Sequence, residues 1–357
     1  MSHEIDEPLD VDETEELEDH ERDSDIYEIS FYPADITLKG YVDKYDSSQL
    51  IIPDFQRQYI WDQVRASKLI ESFLLGLPVP GVFLYKERAS NKLKIIDGQQ
   101  RIMTIVQYYK QLFGEKAFRL KNVADRWDGK LYNELTESDR FQLDDSVLRA
   151  IIVQQLRPED DSSIYHVFER LNTGGINLNP MEIRKCVYSG VLMDMLVDLN
   201  SLPEWRTLVG RAKEDKRMRD VEWILRVLSF HEHADEYEKP MKKFLNRYLI
   251  KGYRLSPLDQ EQKVRATTKL FRETCSYILS ELGEKPFQIK NRFNYAVLDS
   301  VFCACIQAFQ NGVHNIDNRF QSLKINDDFI ESVQKNTSDQ SVIALRFSKA
   351  REYILGK

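Results

Sequence analysis

The stretch KLKIIDGQQRIMTIVQYYKQLFG, residues 92–114, joins a strand pattern to a helix pattern through one short polar turn. Residues 92–96 are typical of a buried strand. From residue 101 onward the apolar side chains recur at helical spacing, at Ile102, Ile105, Val106 and Tyr109. Between the two patterns, the turn places an acid, a glycine, two amides and an arginine at the start of the helix. The stretch therefore predicts a strand–turn–helix unit with a polar turn at its centre.

The composition indicates a globular protein. At 357 residues, of which 42% are hydrophobic, the chain is long enough for about two domains. No segment has the ~20 consecutive apolar residues of a membrane span, since the best candidate, residues 72–85, contains two prolines. The N-terminus lacks the features of a signal peptide. We predict a cytoplasmic protein that does not cross a membrane. Reduced, buried thiols are predicted at the four cysteines, which lack zinc-type spacing: Cys186, Cys275, Cys303 and Cys305.

The charge is distributed unevenly along the chain. The net charge is −8, but residues 1–25 contain thirteen acids and one arginine, which leaves +4 on the remainder. We predict that residues 1–25 form a disordered acidic tail. Such a tail either solvates the protein or imitates nucleic acid and competes with it for a basic groove on the same chain. The mildly basic remainder is compatible with a nucleic-acid partner but does not require one.

Strand and helix patterns alternate up to about residue 160. One predicted helix begins at the N-cap residue Thr37 and runs to Lys44, and another begins at Asp62 and runs to Leu75, where Gly76 stops it. The third and fourth predicted strands form a hairpin. The predicted strands are 26–32, 49–55, 82–87, 92–96 and 148–156.

Helical patterns dominate the chain beyond residue 161, where strand signals are almost absent. We therefore predict the fold class α+β, with a mixed α/β domain at 26–190 followed by an all-α domain at 191–357. The predicted helices are 161–171, 180–198, 218–231, 237–250, 258–282, 293–311 and 338–354.

The turn from Asp97 to Arg101 has the features of an anion site. A helix start presents unpaired N–H groups and the positive end of the helix dipole, which favour phosphate. Gly98 leaves room for a close approach, Gln99 and Gln100 add neutral donors, and Arg101 supplies a planar fork for phosphate oxygens. Asp97 is suited to hold Mg²⁺ or to orient a water. The alternative is a plain Asp-Gly turn in which Arg101 pairs with a nearby acid.

A second polar cluster directly follows a predicted strand. Here Gln56, Arg57, Tyr59 and Trp61 alternate polar and aromatic side chains. Arg57 is a candidate for a second phosphate ligand. The two aromatic residues are candidates for stacking on a base, and the alternative is that they pack against the next helix.

A third cluster lies between two predicted helices. Asn179, Pro180 and Glu182 have the spacing of an N-cap, an N1 proline and the acid of a capping box. The glycine-rich loop before them contains Asn172, whose amide oxygen is a candidate ligand for a metal or a phosphate-bound water. The alternative is a hinge in which Asn172 caps the preceding helix.

These clusters, in this order, resemble the N-terminal domain of GmrSD-type, modification-dependent restriction systems, which is similar to the nucleotide-binding ParB/sulfiredoxin fold. The resemblance spans about residues 30–190, which makes it more specific than any single loop. It rests on four segments: IPDFQRQYIWD (52–62), LIESFLLGLPVPGVFLY (69–85), IIDGQQRIMTI (95–105) and FERLNTGGINLNPMEIR (168–184).

The resemblance implies that the 97–101 element binds and hydrolyses a nucleoside triphosphate with Mg²⁺. It assigns catalysis to Asp97, Gln100 and Arg101, the metal to Asp97 and Asn172, and contacts to a base or to DNA to Tyr59 and Trp61. The ParB pattern has a glutamate directly before the metal-binding asparagine, where this chain has Leu171. The implied nucleotide-binding residues are Gln56, Arg57, Gly98, Gln99, Gln100, Arg101, Thr104 and Asn172.

Full restriction enzymes of this type also carry an HNH-like nuclease built on paired His and Asn residues. None of the six histidines, at positions 3, 20, 166, 231, 233 and 314, lies in such a grouping. The segment HEHADE, residues 231–236, is the nearest approach, and we expect it to end a helix at the surface. Residues 211–226 contain six cations among several acids and are a candidate phosphate contact, or simply a solvated helix end.

Three functional hypotheses follow. The first is a Mg²⁺-dependent nucleoside triphosphatase that serves as the sensor of an anti-phage restriction system. It acts on DNA, modified or unmodified, with a separate nuclease or defence protein. The second is a nucleotide-gated adaptor or DNA clamp that does not hydrolyse its ligand. The third, a ParB-like nuclease, lacks an obvious second carboxylate beside Asp97. A homodimer is compatible with each hypothesis.

Overall fold

The computed structural model describes residues 29–52, 59–87, 90–155, 179–188 and 190–356, and also the single positions 165, 167, 168 and 170. The predicted acidic tail at 1–25 and most of the predicted helix at 161–171 lie outside these residues. Contacts divide the chain into two compact units between Val187 and Tyr188. Within the described ranges, no helix combines the length and apolar character that a bilayer crossing demands.

The first unit alternates strands and helices, as its sequence pattern predicts. Its elements are β1 (Ile29–Thr37), α1 (Leu38–Asp46), β2 (Leu50–Ile51), α2 (Gln63–Leu74), β3 (Val82–Lys86), β4 (Leu93–Asp97), α3 (Gln99–Tyr109), β5 (Leu112–Phe113), β6 (Lys116–Ala117), α4 (Glu137–Asp145), β7 (Val147–Gln155) and α5 (Pro180–Val187).

Five of these strands form one mixed sheet in the order β1-β7-β3-β4-β2. The β3–β4 pair is antiparallel, so the predicted hairpin is confirmed. Strand β7 pairs antiparallel with β1 and parallel with β3. Strand β2 lies parallel to β4 at the edge and is shorter than predicted among the described residues. The small β5–β6 hairpin is an element that the sequence patterns do not predict.

Local side-chain caps fix the starts of α1 and α2. The Thr37 hydroxyl accepts a hydrogen bond from the Gly40 N–H, and the Asp62 carboxylate accepts one from the Arg65 N–H. Both predicted N-caps are thus confirmed. At the end of α2, Gly76 adopts a left-handed backbone, with φ of 67°, which confirms it as the stop.

Both faces of the sheet are covered. Helices α1 to α4 bury one face, where Leu84 and Ile95 are fully inaccessible to solvent. On the other face, the Tyr85 ring meets Phe168 edge-on at 6.2 Å, and the Lys94 ammonium donates to the Cys186 carbonyl at 3.2 Å. The Lys94 side chain is buried, and it also forms an ion pair with Glu87 at 2.8 Å. The central strands β3 and β4 are therefore packed on both faces.

The second unit is helical apart from one short hairpin. Its elements are α6 (Val191–Asn200), α7 (Pro203–Val209), α8 (Arg219–His233), α9 (Met241–Tyr253), α10 (Pro257–Leu282), β8 (Gln288–Ile289), β9 (Arg292–Phe293), α11 (Tyr295–Gln310), α12 (Asp317–Lys324), α13 (Asp327–Ser332) and α14 (Gln340–Arg351).

The α+β class is confirmed, with two corrections of detail. The predicted continuous helix 180–198 is two helices, because the chain turns at Tyr188 and Gly190 lies outside helical geometry, with φ of 144°. The second unit is not strictly all-α, because β8 and β9 pair around Lys290 and Asn291, which both have positive φ. The four cysteines are buried free thiols, as predicted.

Three buried arginine–aspartate pairs lie in the described core of the second unit, and two of them share Asp299, which also lies 3.6 Å from Arg346. Arg206 donates to Asp220 at 2.7 Å, and Arg226 donates to Asp299 at 2.6 Å. Both carboxylates are completely buried. A buried charge is tolerated only when it is paired and hydrogen-bonded, so these contacts tie α7 to α8 and α8 to α11.

Candidate functional site

Strand β4 ends at Asp97, and Gly98 then reverses the chain into α3. Gly98 has φ of 94°, a left-handed conformation that other residues adopt only with strain. A Cβ atom at this position would lie 2.3 Å from the Val82 Cγ1 atom on the neighbouring strand. Glycine is thus required here by the backbone and by the packing, in addition to any ligand.

The first turn of α3 has no side-chain cap. The Ile102 N–H donates to the Gly98 carbonyl, so the helical pattern of hydrogen bonds begins at that residue. Among the described residues, the backbone N–H groups of Gln100 and Arg101 have no acceptor. These donors and the positive end of the helix dipole make the turn attractive to an anion.

The Arg101 guanidinium is bound internally. Its Nη1 group donates to the carbonyl oxygens of Pro80 and Gly81, the latter at 2.6 Å, and its Nη2 group donates to Asp97 Oδ2 at 2.9 Å. Only 17% of this side chain is exposed. Arg101 is therefore paired with a nearby acid in the structure. This pairing is what the plain Asp-Gly turn, the alternative to an anion site, predicts. In this geometry Arg101 holds the Pro80–Gly81 turn and orients the Asp97 carboxylate.

Asp97 retains one carboxylate oxygen for a ligand. Oδ2 accepts from Arg101, whereas Oδ1 has no partner among the described residues, and 40% of the side chain is exposed. Mg²⁺ is commonly held by one or two carboxylates together with phosphate oxygens and water. An oriented carboxylate with one open oxygen, beside uncapped N–H groups, fits a metal–triphosphate.

Gln100 links the helix start to the preceding loop. Its Oε1 atom accepts hydrogen bonds from the Ile60 N–H at 3.0 Å and the Trp61 N–H at 3.3 Å. Because both partners are donors, the amide oxygen must face the loop, and the Nε2 group faces away from it. Gln100 can therefore donate to a ligand through Nε2, but its oxygen is already engaged and is poorly placed to accept a proton from water.

Thr104 lies one turn further along α3 and is completely buried. Its hydroxyl is 2.7 Å from the Gln100 carbonyl and 2.7 Å from the Tyr59 hydroxyl. Burial raises the pKa of the Tyr59 phenol, so this group remains a neutral hydrogen-bonding partner. Thr104 thus acts on the turn by holding Tyr59 and Gln100 in place.

The aromatic residues after the second strand pack against the core of the first unit. The Tyr59 ring meets Phe113 edge-on at 5.6 Å, and the Arg65 guanidinium lies 4.7 Å from the centre of the Trp61 ring. Both rings are partly buried. This arrangement corresponds to the packing alternative, while Ile60 between them is 63% exposed.

Three predicted ligands lie outside the described residues, namely Gln56, Arg57 and Asn172. The capping box beyond Asn172 is confirmed. The Asn179 side chain accepts from the Glu182 N–H at 2.8 Å, and the Glu182 carboxylate accepts from the Asn179 N–H at 2.7 Å. The start of α5 is thereby fixed.

The other candidate segments are occupied by structural contacts. HEHADE ends α8 as expected, with His233 Nδ1 3.1 Å from Glu236 Oε1. In the 211–226 segment, Arg226 is buried and Arg219 pairs with Asp215 at 3.1 Å. Over the ranges that the structure describes, no group of three or more His, Cys, Asp or Glu side chains is arranged to hold a metal.

The site lies in a part of the chain that matches a family of restriction-system domains. Residues 38–189 match the family model described as GmrSD restriction endonuclease, N-terminal domain. This match confirms the recognition made from the motifs. The matched range runs from the first residue of α1 to just beyond α5, so the region that is similar to the GmrSD N-terminal domain includes the β4–α3 turn. No curated protein matches the chain.

The most informative residues that the sequence patterns missed are the partners of the turn. Pro80 and Gly81 accept from Arg101 through their backbone carbonyls, and Val82 fills the space beside Gly98. All three follow α2 in the segment LPVPGVFLY. The two prolines of that segment indicate a rigid turn, but backbone acceptors carry no signal in a sequence pattern.

Proposed function

We propose that the chain is the nucleotide-responsive component of a restriction system, which binds and hydrolyses a nucleoside triphosphate with Mg²⁺. In this role it acts on DNA, modified or unmodified, together with a separate nuclease or defence protein. The GmrSD N-terminal domain supports a part in restriction. The nucleotide, the metal and the partners go beyond this family match and are proposed in addition to it.

The observation that carries the proposal is the combination at the β4–α3 turn. Two backbone N–H groups, of Gln100 and Arg101, have no acceptor among the described residues, and Asp97, the first residue of the turn, has an open Oδ1 atom. Uncapped donors at a helix start attract phosphate, and a neighbouring carboxylate holds the accompanying metal.

Some groups of the turn bind the ligand, and others position the groups that do. The N–H groups bind the terminal phosphates, and the Gln100 Nε2 group donates to a phosphate oxygen or to the attacking water. Arg101 fixes the rotamer of Asp97, whose Oδ1 atom binds the metal. Bound Mg²⁺ neutralises charge on the phosphate oxygens. Catalysis by these residues therefore consists of positioning and electrostatic stabilisation.

A second function, nucleotide binding without hydrolysis, is favoured by one specific observation. The Gln100 oxygen and the Arg101 Nη1 group are both engaged with the backbone, so neither is available to activate water or to move onto a leaving phosphate without breaking these bonds. In that case the domain is a switch whose two states differ in their affinity for DNA or for a protein partner.

Calorimetric titration and phosphate release together distinguish the two functions. We expect the calorimetric titration of the full chain to give saturable, Mg²⁺-dependent heat with at least one of the four ribonucleoside triphosphates. Release of phosphate from that nucleotide supports the hydrolase, and binding without release supports the switch. No heat with any nucleotide in the presence of Mg²⁺ contradicts both.

A further inference from the structure

Helix α9 of the second unit carries an unbroken excess of positive charge. Six cations and no acid lie between residues 239 and 254. The neighbouring helix α10, in contrast, carries four cations and four acids. The exposed cations of α9 and its C-cap are Lys243, Arg247, Lys251 and Arg254.

These four cations form a ridge along one side of the helix, which we call the basic ridge. Their positions are i, i+4, i+8 and i+11, so they fall within a sector of about 80° around the helix axis. At a rise of about 1.5 Å per residue, the basic ridge is about 16 Å long, with cations about 5–6 Å apart along the axis. A row of charges at this spacing suits a polyanion with regularly repeated charges.

The opposite side of α9 is fixed in the core. Phe244, Leu245, Tyr248 and Leu249 are buried, and the Phe230 ring packs against Phe244 at 5.0 Å between centroids. The helix backbone under the basic ridge is therefore held rigidly, so the cations need to order only their side chains when they bind a ligand.

Two acids contact the middle of the basic ridge. Glu236 pairs with Lys251 at 2.5 Å, and Glu238 lies 3.8 Å from Arg247. The Lys251 and Arg247 side chains remain 42% and 45% exposed. Pairs between exposed side chains contribute little to stability, so phosphate can replace these partners at low cost.

We propose that the basic ridge contacts the phosphate backbone of double-stranded DNA without reading its sequence. The inference rests on the proposed restriction function only for the choice of DNA as the polyanion. The ridge presents charge but no array of base-reading amides, and phosphate contacts position a protein on DNA without sequence information. The acidic segment at residues 1–25 has the charge to compete for the same surface.

The test compares two double variants in the full chain. Arg247→Gln with Lys251→Gln removes two cations from the basic ridge. Arg265→Gln with Lys269→Gln removes two cations from α10 that have the same spacing, are also exposed, and also lie near a glutamate, at 3.6 and 3.9 Å. Fluorescence anisotropy measures the affinity for a 25-base-pair duplex of arbitrary sequence as the salt concentration varies, with and without Mg²⁺ and nucleotide.

We expect the ridge variant to bind DNA at least about tenfold more weakly than wild type at 0.1 M salt. The slope of log K against log salt, which is negative, should become smaller in magnitude by about 2. The affinity of the α10 variant should stay within about twofold of wild type. The proposal is overturned if wild type does not bind, if the ridge variant binds normally, or if both variants weaken alike. A ridge variant that keeps DNA affinity but loses affinity for a peptide of residues 1–25 assigns the surface to the acidic segment and also overturns it.

Phosphate release by the same variants separates this proposal from the proposed function. We expect both double variants to retain wild-type nucleotide turnover, because their substitutions lie on α9 and α10 and not at the β4–α3 turn. Loss of DNA binding with intact turnover supports the ridge. If the wild type does not hydrolyse nucleotide but binds DNA through the basic ridge, the proposed hydrolase function is wrong and the proposal for the basic ridge is supported.

Discussion

Replacement of Asp97 by asparagine is expected to lower Mg²⁺-dependent nucleotide turnover by at least about 100-fold. The asparagine side chain has nearly the same shape and retains an oxygen acceptor for Arg101, but it lacks the negative charge that holds the metal. The Mg²⁺ concentration at half-maximal rate should rise in parallel. Both quantities are measured by phosphate release over a range of Mg²⁺ concentrations.

Asp35→Asn is the matched control for Asp97→Asn. Asp35 lies on β1 of the same sheet and forms an exposed ion pair with Arg149 at 2.8 Å. Its replacement also removes an aspartate–arginine pair from the sheet, so turnover should remain at the wild-type level. If Asp97→Asn hydrolyses nucleotide at the wild-type rate with an unchanged Mg²⁺ requirement, Asp97 is not the metal ligand.

Replacement of Gly98 by alanine is expected to lower the free energy of unfolding by about 2–5 kcal/mol. About 1–2 kcal/mol arises from placing an L-residue at φ of 94°. A further 1–3 kcal/mol, roughly, arises because the new methyl group overlaps the Val82 side chain, with a Cβ–Cγ1 separation of 2.3 Å. The change is measured by urea denaturation, from the shift of the midpoint at constant slope.

Gly76→Ala separates the two contributions to this effect. Gly76 has a comparable positive φ of 67°, but a Cβ atom there has no neighbour within 4 Å. The Gly76→Ala variant should therefore lose only the ~1–2 kcal/mol of unfolding free energy that arises from the backbone conformation. Equal destabilisation by the two variants would contradict close packing of Gly98 against β3 and would place the turn differently from the geometry described above.

The strand–turn–helix unit at 93–109 is largely predictable from sequence because each part has a local signal. Alternation marks β4, helical spacing marks α3, and an Asp-Gly pair marks the turn between them. The N-caps Thr37 and Asp62 and the capping box at Asn179 are local in the same sense. Interactions within three or four residues are visible in a sequence without knowledge of the fold.

The side-chain geometry of the candidate site is not predictable in this way. Arg101 is bound by carbonyls about twenty positions earlier in the chain, and the Gln100 oxygen is bound by N–H groups about forty positions earlier. The sequence indicates donors and acceptors but not which of them meet. For this reason the Gln100 oxygen and the Arg101 guanidinium are obvious ligand groups in the sequence, whereas in the structure both are bound by other parts of the protein.

The chain beyond residue 180 shows the same limit for secondary structure. The apolar pattern of 180–198 continues across Gly190, so periodicity alone predicts one helix where the backbone forms two. The β8–β9 hairpin has only two residues in each strand, which is too short to produce an alternating pattern. The basic ridge on α9 is visible as charge in the sequence, but its confinement to one exposed face requires the helix bounds and the packing of Phe244 and Tyr248.

The most direct test of the central claim is a structure of the full chain with Mg²⁺ and a non-hydrolysable nucleoside triphosphate. The account predicts phosphate oxygens about 2.7–3.2 Å from the backbone nitrogens of Gln100 and Arg101, with the metal bound to Asp97 Oδ1. It is contradicted if the nucleotide binds elsewhere while the start of α3 contacts only protein atoms.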